Sequence, residues 1–480
     1  MESGQQLEGV LERELAGSGL GHKARHKRLL RIGQAMSRAA SASFPRQFAK
    51  DEAGLKGAYR FFANPEVTPE AILQGHVAAT RERCRARGKV LCIQDTTDLI
   101  FKHQVEGAGR INQLPRVRGL WVHTTLAVDA GTHEVMGVLG QMVWARPDKP
   151  KRKKRKKEET AAQRKKRPRE SQRWGEAAYR VSDVLEPLPA QERPCVVHVL
   201  DAEGDVFETL EVIEALGDSF VIRVTRNRLL ASGQRQQAEE AEREYLLDKV
   251  AQAPVLGHKV VQVPGRPGQQ ERQAELEIRA CRVSVRPPRN RGRAGQPLEL
   301  NVVLARETRP PEGQKPLYWC LVTGEPIETL QQCLQVVEAY EGRWLVEELH
   351  MGFKSGCGTE TRRLQHGARL SNFLALATVV AFSMLSLRDA ARRPEPPPAS
   401  EHLSEIQLQL LGDLCPELPP NPNAYDALRA MAMLGGFIGR KGDGEPGWRT
   451  LWRGWEKLQH AETIYRMHLH RLSSPKADSG

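Results

Sequence analysis

The chain has 480 residues, eight cysteines and a formal net charge of +13, a length that supports about two to four domains and at least one large core. It contains no Cys-x-x-Cys pair, no phosphate loop ending Gly-Lys-Ser/Thr, no Gly-x-Ser-x-Gly elbow and no His-Glu-x-x-His. Zinc sites, nucleotide-driven chemistry and serine hydrolysis are therefore disfavoured.

The positive charge is localised. Residues 149–169 hold thirteen Lys/Arg against two Glu, or +11 of the +13, leaving +2 for the rest of the chain. The start, Met-Glu-Ser-Gly-Gln-Gln-Leu-Glu, is polar and acidic, unlike a signal peptide. Scattered cysteines then predict reduced thiols in a cytoplasmic protein. The longest apolar run, Asn372 to Leu387, is 16 residues. It is short for a membrane span and reads as a buried helix, so no membrane partner is expected.

Residues 1–70 read as helical. From Leu20 onward, Leu29, Leu30, Ile32 and Met36 are backed by Lys23, Arg25, Lys27 and Arg28, the pattern of a basic amphipathic helix. Such a helix binds DNA phosphates or presents a solvated face, and both readings stand. Further on, Val90-Leu-Cys-Ile-Gln-Asp95 is an apolar run ending on a carboxylate. His123 to Asp129 and Val135 to Val143 predict two more strands, and Trp174 to Leu188 predicts a helix. Pro194 to Asp201 is a second buried strand ending on Asp, and Ser219 to Thr225 follows another helix.

This order describes a ribonuclease-H-like α/β sheet with Asp95 and Asp201 at strand ends, where such sheets gather their sites. An Asp after a strand also serves as a turn or cap residue. Residues 226–318 alternate strand-like and turn-rich segments, predicting a β-rich insertion. A long helix bearing Glu347 follows, then a Pro-rich linker at 389–401 and a helical remainder.

Within that helix, Tyr340, Arg343, Glu347 and Lys354 fall within roughly 60° of one another at about 100° per residue. One stripe thus offers a carboxylate, two cations and a phenol. It suits a metal-bound phosphodiester, with the carboxylate on the ion and the other groups on phosphate oxygens. A solvated helix face gives the same pattern.

These features together resemble the bacterial DDE-type cut-and-paste transposases of the insertion-sequence-four group, Tn-five type. Asp95-Thr96-Thr97 resembles the family's first acidic motif, followed by Lys102-His-Gln104 and Gly119-Leu-Trp-Val-His123. Asp201-Ala-Glu203-Gly-Asp205 resembles the second, with Ala202 and Gly204 where the family usually has Arg and Ala. Residues 340–354 reproduce its Tyr-(2)-Arg-(3)-Glu-(6)-Lys signature, with Trp319 upstream in Trp319-Cys-Leu-Val-Thr-Gly-Glu-Pro326. Leu434-Gly-Gly-Phe437 and the Trp-rich stretch 447–455 resemble its dimerisation region.

The resemblance implies a helical DNA-end-binding domain at 1–70, a ribonuclease-H-like catalytic domain at 71–370 and a helical dimerisation region at 371–480. It makes Asp95, Asp201 and Glu347 the catalytic metal ligands for two Mg2+ ions, with Mn2+ as a substitute. Tyr340, Arg343 and Lys354 would grip phosphates. Trp319 would receive a flipped base, helped by Trp344, or else be a buried strand aromatic. Arg223, Arg25 and Arg28 are further expected DNA contacts. The implied partners are transposon-end DNA, target DNA and a second copy in a homodimer, with no nucleotide cofactor. The reaction would run through nicking, hairpin formation, hairpin opening and strand transfer.

The tract 149–169 departs from the family. Its composition precludes a packed core and predicts disorder without DNA. It contacts donor or target DNA, the favoured reading, or is a solvated insert. Two rival functions remain open: a catalytically silent DNA-binding regulator, and a ribonuclease-H-like nuclease without a transposon partner. Neither accounts for the whole set of motifs.

Overall fold

The computed structural model describes residues 10–111, 117–147, 169–231, 243–263, 272–288, 296–440 and 443–473. The basic tract lies outside these apart from Arg169. Ten strands form a mixed sheet: β1 (Lys89–Ile100), β2 (Gly109–Arg110), β3 (Arg118–Asp129), β4 (Val135–Trp144), β5 (Cys195–Leu200), β6 (Ser219–Arg223), β7 (Val255–Val263), β8 (Arg272–Val285), β9 (Leu298–Glu307) and β10 (Tyr318–Thr323). Their order is β2-β3-β1-β5-β6-β10-β9-β8-β7, with β4 alongside β3.

Two halves meet in this sheet. β1, β3 and β4 form an antiparallel meander, and β5 and β6 add to β1 in parallel. β10 then pairs antiparallel with β6, and β9, β8 and β7 continue outward. The strands of segment 226–318 thus extend the central sheet. Parallel β1, β5 and β6 are buried on both faces, which is why they read as unbroken apolar runs.

Successive residues of a strand point to opposite faces, and β1 divides accordingly. Leu91, Ile93 and Leu99 join the large core with the helices after Thr329, whereas Val90 and Cys92 pack with Val181 and Leu185 of the Gln172–Leu185 helix. The Gly367–Ala391 helix is long and apolar enough to cross a membrane by length and composition, but 83% of its apolar window is buried within the protein. It spans the 370/371 boundary read from sequence and joins the ends of the chain. Phe373 packs against Phe44 and Phe62 of the N-terminal helices, and Leu376, Trp452 and Leu458 belong to the same core as Leu15 and Met36. All eight cysteines are free thiols.

Two sequence expectations need correction. First, Asp95 does not end its strand. β1 runs on to Ile100 because β3 offers an antiparallel partner along that length, Thr124 facing Asp95 and Gly119 facing Ile100. Second, residues 330–356 are not one helix. Leu330–Glu341, started by a Thr329/Gln332 capping box, gives way at Gly342 and Arg343 to tighter i→i+3 bonds: Arg343 N–H to Tyr340 O and Leu345 N–H to Gly342 O, each 3.1 Å. Glycine weakens the helix at that point. Trp344–Met351 follows, and Gly352–Gly356 is a π turn.

Candidate active site

Register brings the two aspartates together. The parallel β1–β5 ladder ends at Gln94 opposite Leu200, so the next position on each chain is Asp95 and Asp201. Asp201 leaves the sheet at once, capping the Ala202–Gly204 turn. The helices of 330–351 cover this end of the sheet and lower their polar groups onto the pair. Tyr340 Oη donates to Asp201 Oδ1 at 3.2 Å. Arg343 Nη1 lies 3.8 Å from Asp95 Oδ1, while its Nη2 pairs with the Glu347 carboxylate. Lys354, on the π turn, reaches β1 instead, 3.2 Å from both Thr97 Oγ1 and Asp98 Oδ1. Three members of the expected stripe converge, and the fourth meets β1 two to three residues beyond Asp95.

Electrostatics mark the same spot. Burial, with the Glu347 and Asp201 charges, raises the Asp95 pKa to about 7 despite Arg343. Burial also raises the Tyr340 hydroxyl, assisted by Asp201. Burial opposes the charge on Arg343, but Asp201, Glu347, Tyr340 and Asp95 outweigh it and raise its pKa.

Three carboxylates are the oxygen donors a hard divalent cation prefers. Yet among the described residues no three His, Cys, Asp or Glu side chains gather into a metal-holding group. The Arg343 guanidinium lies between Asp95 and Glu347, 3.8 Å from the first and paired with the second. Glu347 remains half exposed.

A cavity of about 980 Å3 opens beside this cluster, lined by Arg223, Trp319, Tyr340, Arg343, Trp344 and Glu347 among others. Trp319 is half-buried on β10, its ring 5.8 Å from that of Tyr340 at 65°. Trp344 is exposed, with the Arg392 guanidinium 4.9 Å over its ring. Arg25 and Arg28 sit elsewhere, on the Lys23–Arg38 helix, and do not line the cavity. Arg25 Nη1 donates to Leu20 O at 2.9 Å. Arg28 packs over Gly57 with its Nη1 buried and unpartnered.

Three contributors escaped the sequence reading. His350 Nδ1 lies 3.6 Å from Asp95 Oδ2, and burial lowers the ring's pKa to about 3, so it stays neutral. Its signal was the spacing of three from Glu347 on one helix. Lys259 and Arg392 come from distant segments, and only the fold brings them to the cavity. Behind the aspartates runs a buried polar chain. Thr96 Oγ1 donates to His123 Nδ1 at 2.8 Å, and His123 Nε2 donates to Gln94 Oε1 at 3.3 Å. Gln94 Nε2 donates to His198 Nδ1, and His198 Nε2 to Asp218, each at 3.0 Å. The glutamine amide fixes both tautomers, since its nitrogen only donates and its oxygen only accepts.

Residues 8–67 match the family model of the transposase DNA-binding domain. Residues 415–465 match that of the Tn5 transposase dimerisation domain. A solved structure, the cryo-EM structure of piggyBac transposase synaptic complex with hairpin DNA, aligns with 98% of this chain and 82% of that one, at 10% identity and a TM-score of 0.39. A likeness that weak carries no argument. The two domain matches are consistent with DNA and a second copy of the chain as partners, and together they support a Tn5-like transposase.

Proposed function

We propose that this protein is a DDE-type DNA transposase of the insertion-sequence-four group, which cuts transposon ends and joins them to target DNA. Asp95, Asp201 and Glu347 would act as one catalytic group on a ribonuclease-H-like core. The observation that carries the reading is the convergence of Asp95, Asp201, Tyr340, Arg343 and Glu347 at one end of the sheet. The strand order of β1, β3, β4, β5 and β6 supports the core assignment, and the matches at both ends of the chain support the class.

The three carboxylates would hold Mg2+, or Mn2+ in its place, two ions per site; when bound, such ions supply an activated water and neutralise charge on a phosphate. A bound cation would stabilise the ionised form of Asp95 that burial opposes. Arg343, exchanging the Glu347 carboxylate for a DNA phosphate, would free Glu347 to join the aspartates. Tyr340, Lys354 and Arg223 would hold neighbouring phosphates, and Trp319 would stack on an unpaired base. Water would cut one strand, the freed 3′-hydroxyl would close a hairpin, water would open it, and the same hydroxyl would attack target DNA. All four steps are in-line phosphoryl transfers, which positioned cations serve without a protein-bound intermediate.

A second reading has its own observation: the guanidinium bridging Asp95 and Glu347 would suit a catalytically silent DNA-binding regulator. Incubating the protein and Mg2+ with its flanking genomic DNA, then mapping nicks, separates the two. Nicks at a transposon end support the transposase, and specific binding with no nick supports the regulator.

A further inference from the structure

A second cavity, of about 660 Å3, is lined by five arginines: Arg169, Arg226, Arg228, Arg243 and Arg286. Among the described residues, Asp205 and Glu208 are the acidic side chains along its wall. Both cavities draw on one stretch of chain. Arg223, the last residue of β6, lines the active-site cavity, and Arg226 and Arg228 line the second. Asp201, which accepts from Tyr340, and Asp205, on the wall of the second cavity, flank the Ala202–Gly204 turn.

The arginines are of two kinds. Arg228 is fixed: its Nη2 donates to the Asp205 main-chain oxygen at 2.9 Å and pairs with the carboxylate, and Asp205 is only 2% exposed. Arg169 and Arg226 are exposed at the rim. Arg169 is also the last of the thirteen basic residues of the tract 149–169, and Arg289, Arg291 and Arg293 follow Pro288 of the cavity wall in sequence.

We infer that this cavity is a second phosphodiester-binding site, holding backbone phosphates of a DNA strand that runs away from the candidate catalytic carboxylates; the inference rests on the reading of the protein as a DNA-cutting enzyme. Guanidinium groups bind phosphate oxygens through paired N–H donors. Several such groups beside a phosphoryl-transfer site follow the repeat of a strand without reading its bases.

The test uses the full-length protein with Arg169→Ala and Arg226→Ala combined, both at exposed positions outside the candidate catalytic group. The probe is a short duplex of random sequence, titrated across a salt series. The expected result is about tenfold weaker binding, with the slope of log affinity against log salt shallower by about 2. Restoring the charges with Arg169→Lys and Arg226→Lys should recover most of the slope. Unchanged affinity and slope in a variant with wild-type Tm would overturn the proposal. Two activities identify the strand. Loss of joining of pre-cut ends to a plasmid, with end nicking retained, assigns target DNA. Loss of both assigns the transposon end. A wild-type protein that never nicks would defeat the functional reading, while the salt series would still decide the cavity's role.

Discussion

Asp95 is a carboxylate that its own surroundings oppose. Burial and the Glu347 and Asp201 charges raise its pKa to about 7, against about 4 in an unfolded chain. Between those values the unfolded state has lost a proton that the folded state retains. The contribution of Asp95 to the stability of the cation-free protein therefore falls as pH rises from about 4 to about 7, and levels off above. Thermal melts of chelated wild-type protein and Asp95→Asn should show that decline to be steeper in the wild type. Equal slopes would count against the raised pKa. The polar chain behind Asp95 makes a separate claim. Gln94→Leu leaves His123 Nε2 and His198 Nδ1 without their partner, and should destabilise by roughly 2–5 kcal/mol, measured by denaturant titration. Both aspartates were legible in the sequence as acids closing apolar runs. Their adjacency was not, because 106 positions separate them and only the parallel β1–β5 register places them side by side.

Periodicity found the right helix residues by a partly wrong route. An even 100° per residue assumes a continuous helix, and Gly342 and the π turn break that assumption. Tyr340, Arg343 and Glu347 still meet because the tightened turn preserves their common side. Lys354 reaches Asp98 only because the π turn redirects it. That turn rests on the C-terminal helix Trp448–Ser473: a Cβ added at Gly356 would lie 2.1 Å from Trp452 Nε1. Gly356→Ala should thus cost about 1–3 kcal/mol of stability and weaken binding of transposon-end DNA through Lys354. Adding Trp452→Leu should relieve the clash and recover part of the lost Tm. A wild-type Tm in the single variant would disprove the contact. Nothing in the local sequence marks Gly356 as a packing site.

The whole molecule is more continuous than its sequence segments suggest. The resemblance implied three domains; in the structure the N-terminal helices, the sheet and the C-terminal helices share one apolar core built around Gly367–Ala391. That helix is buried on nearly every side and shows no apolar stripe, so sequence pattern reveals its burial but not its neighbours. The role proposed for the basic tract belongs to another scale, that of long-range charge. Deleting residues 150–168 should weaken DNA binding and flatten its salt dependence while leaving cleavage intact. An unchanged slope of log affinity against log salt would refute that role. The central claim is that Asp95, Asp201 and Glu347 work as one catalytic group, and separating binding from cutting tests it most directly. Each of Asp95→Ala, Asp201→Ala and Glu347→Ala should retain binding of transposon-end DNA and lose nicking in Mg2+. Nicking that persists in all three variants would contradict the account.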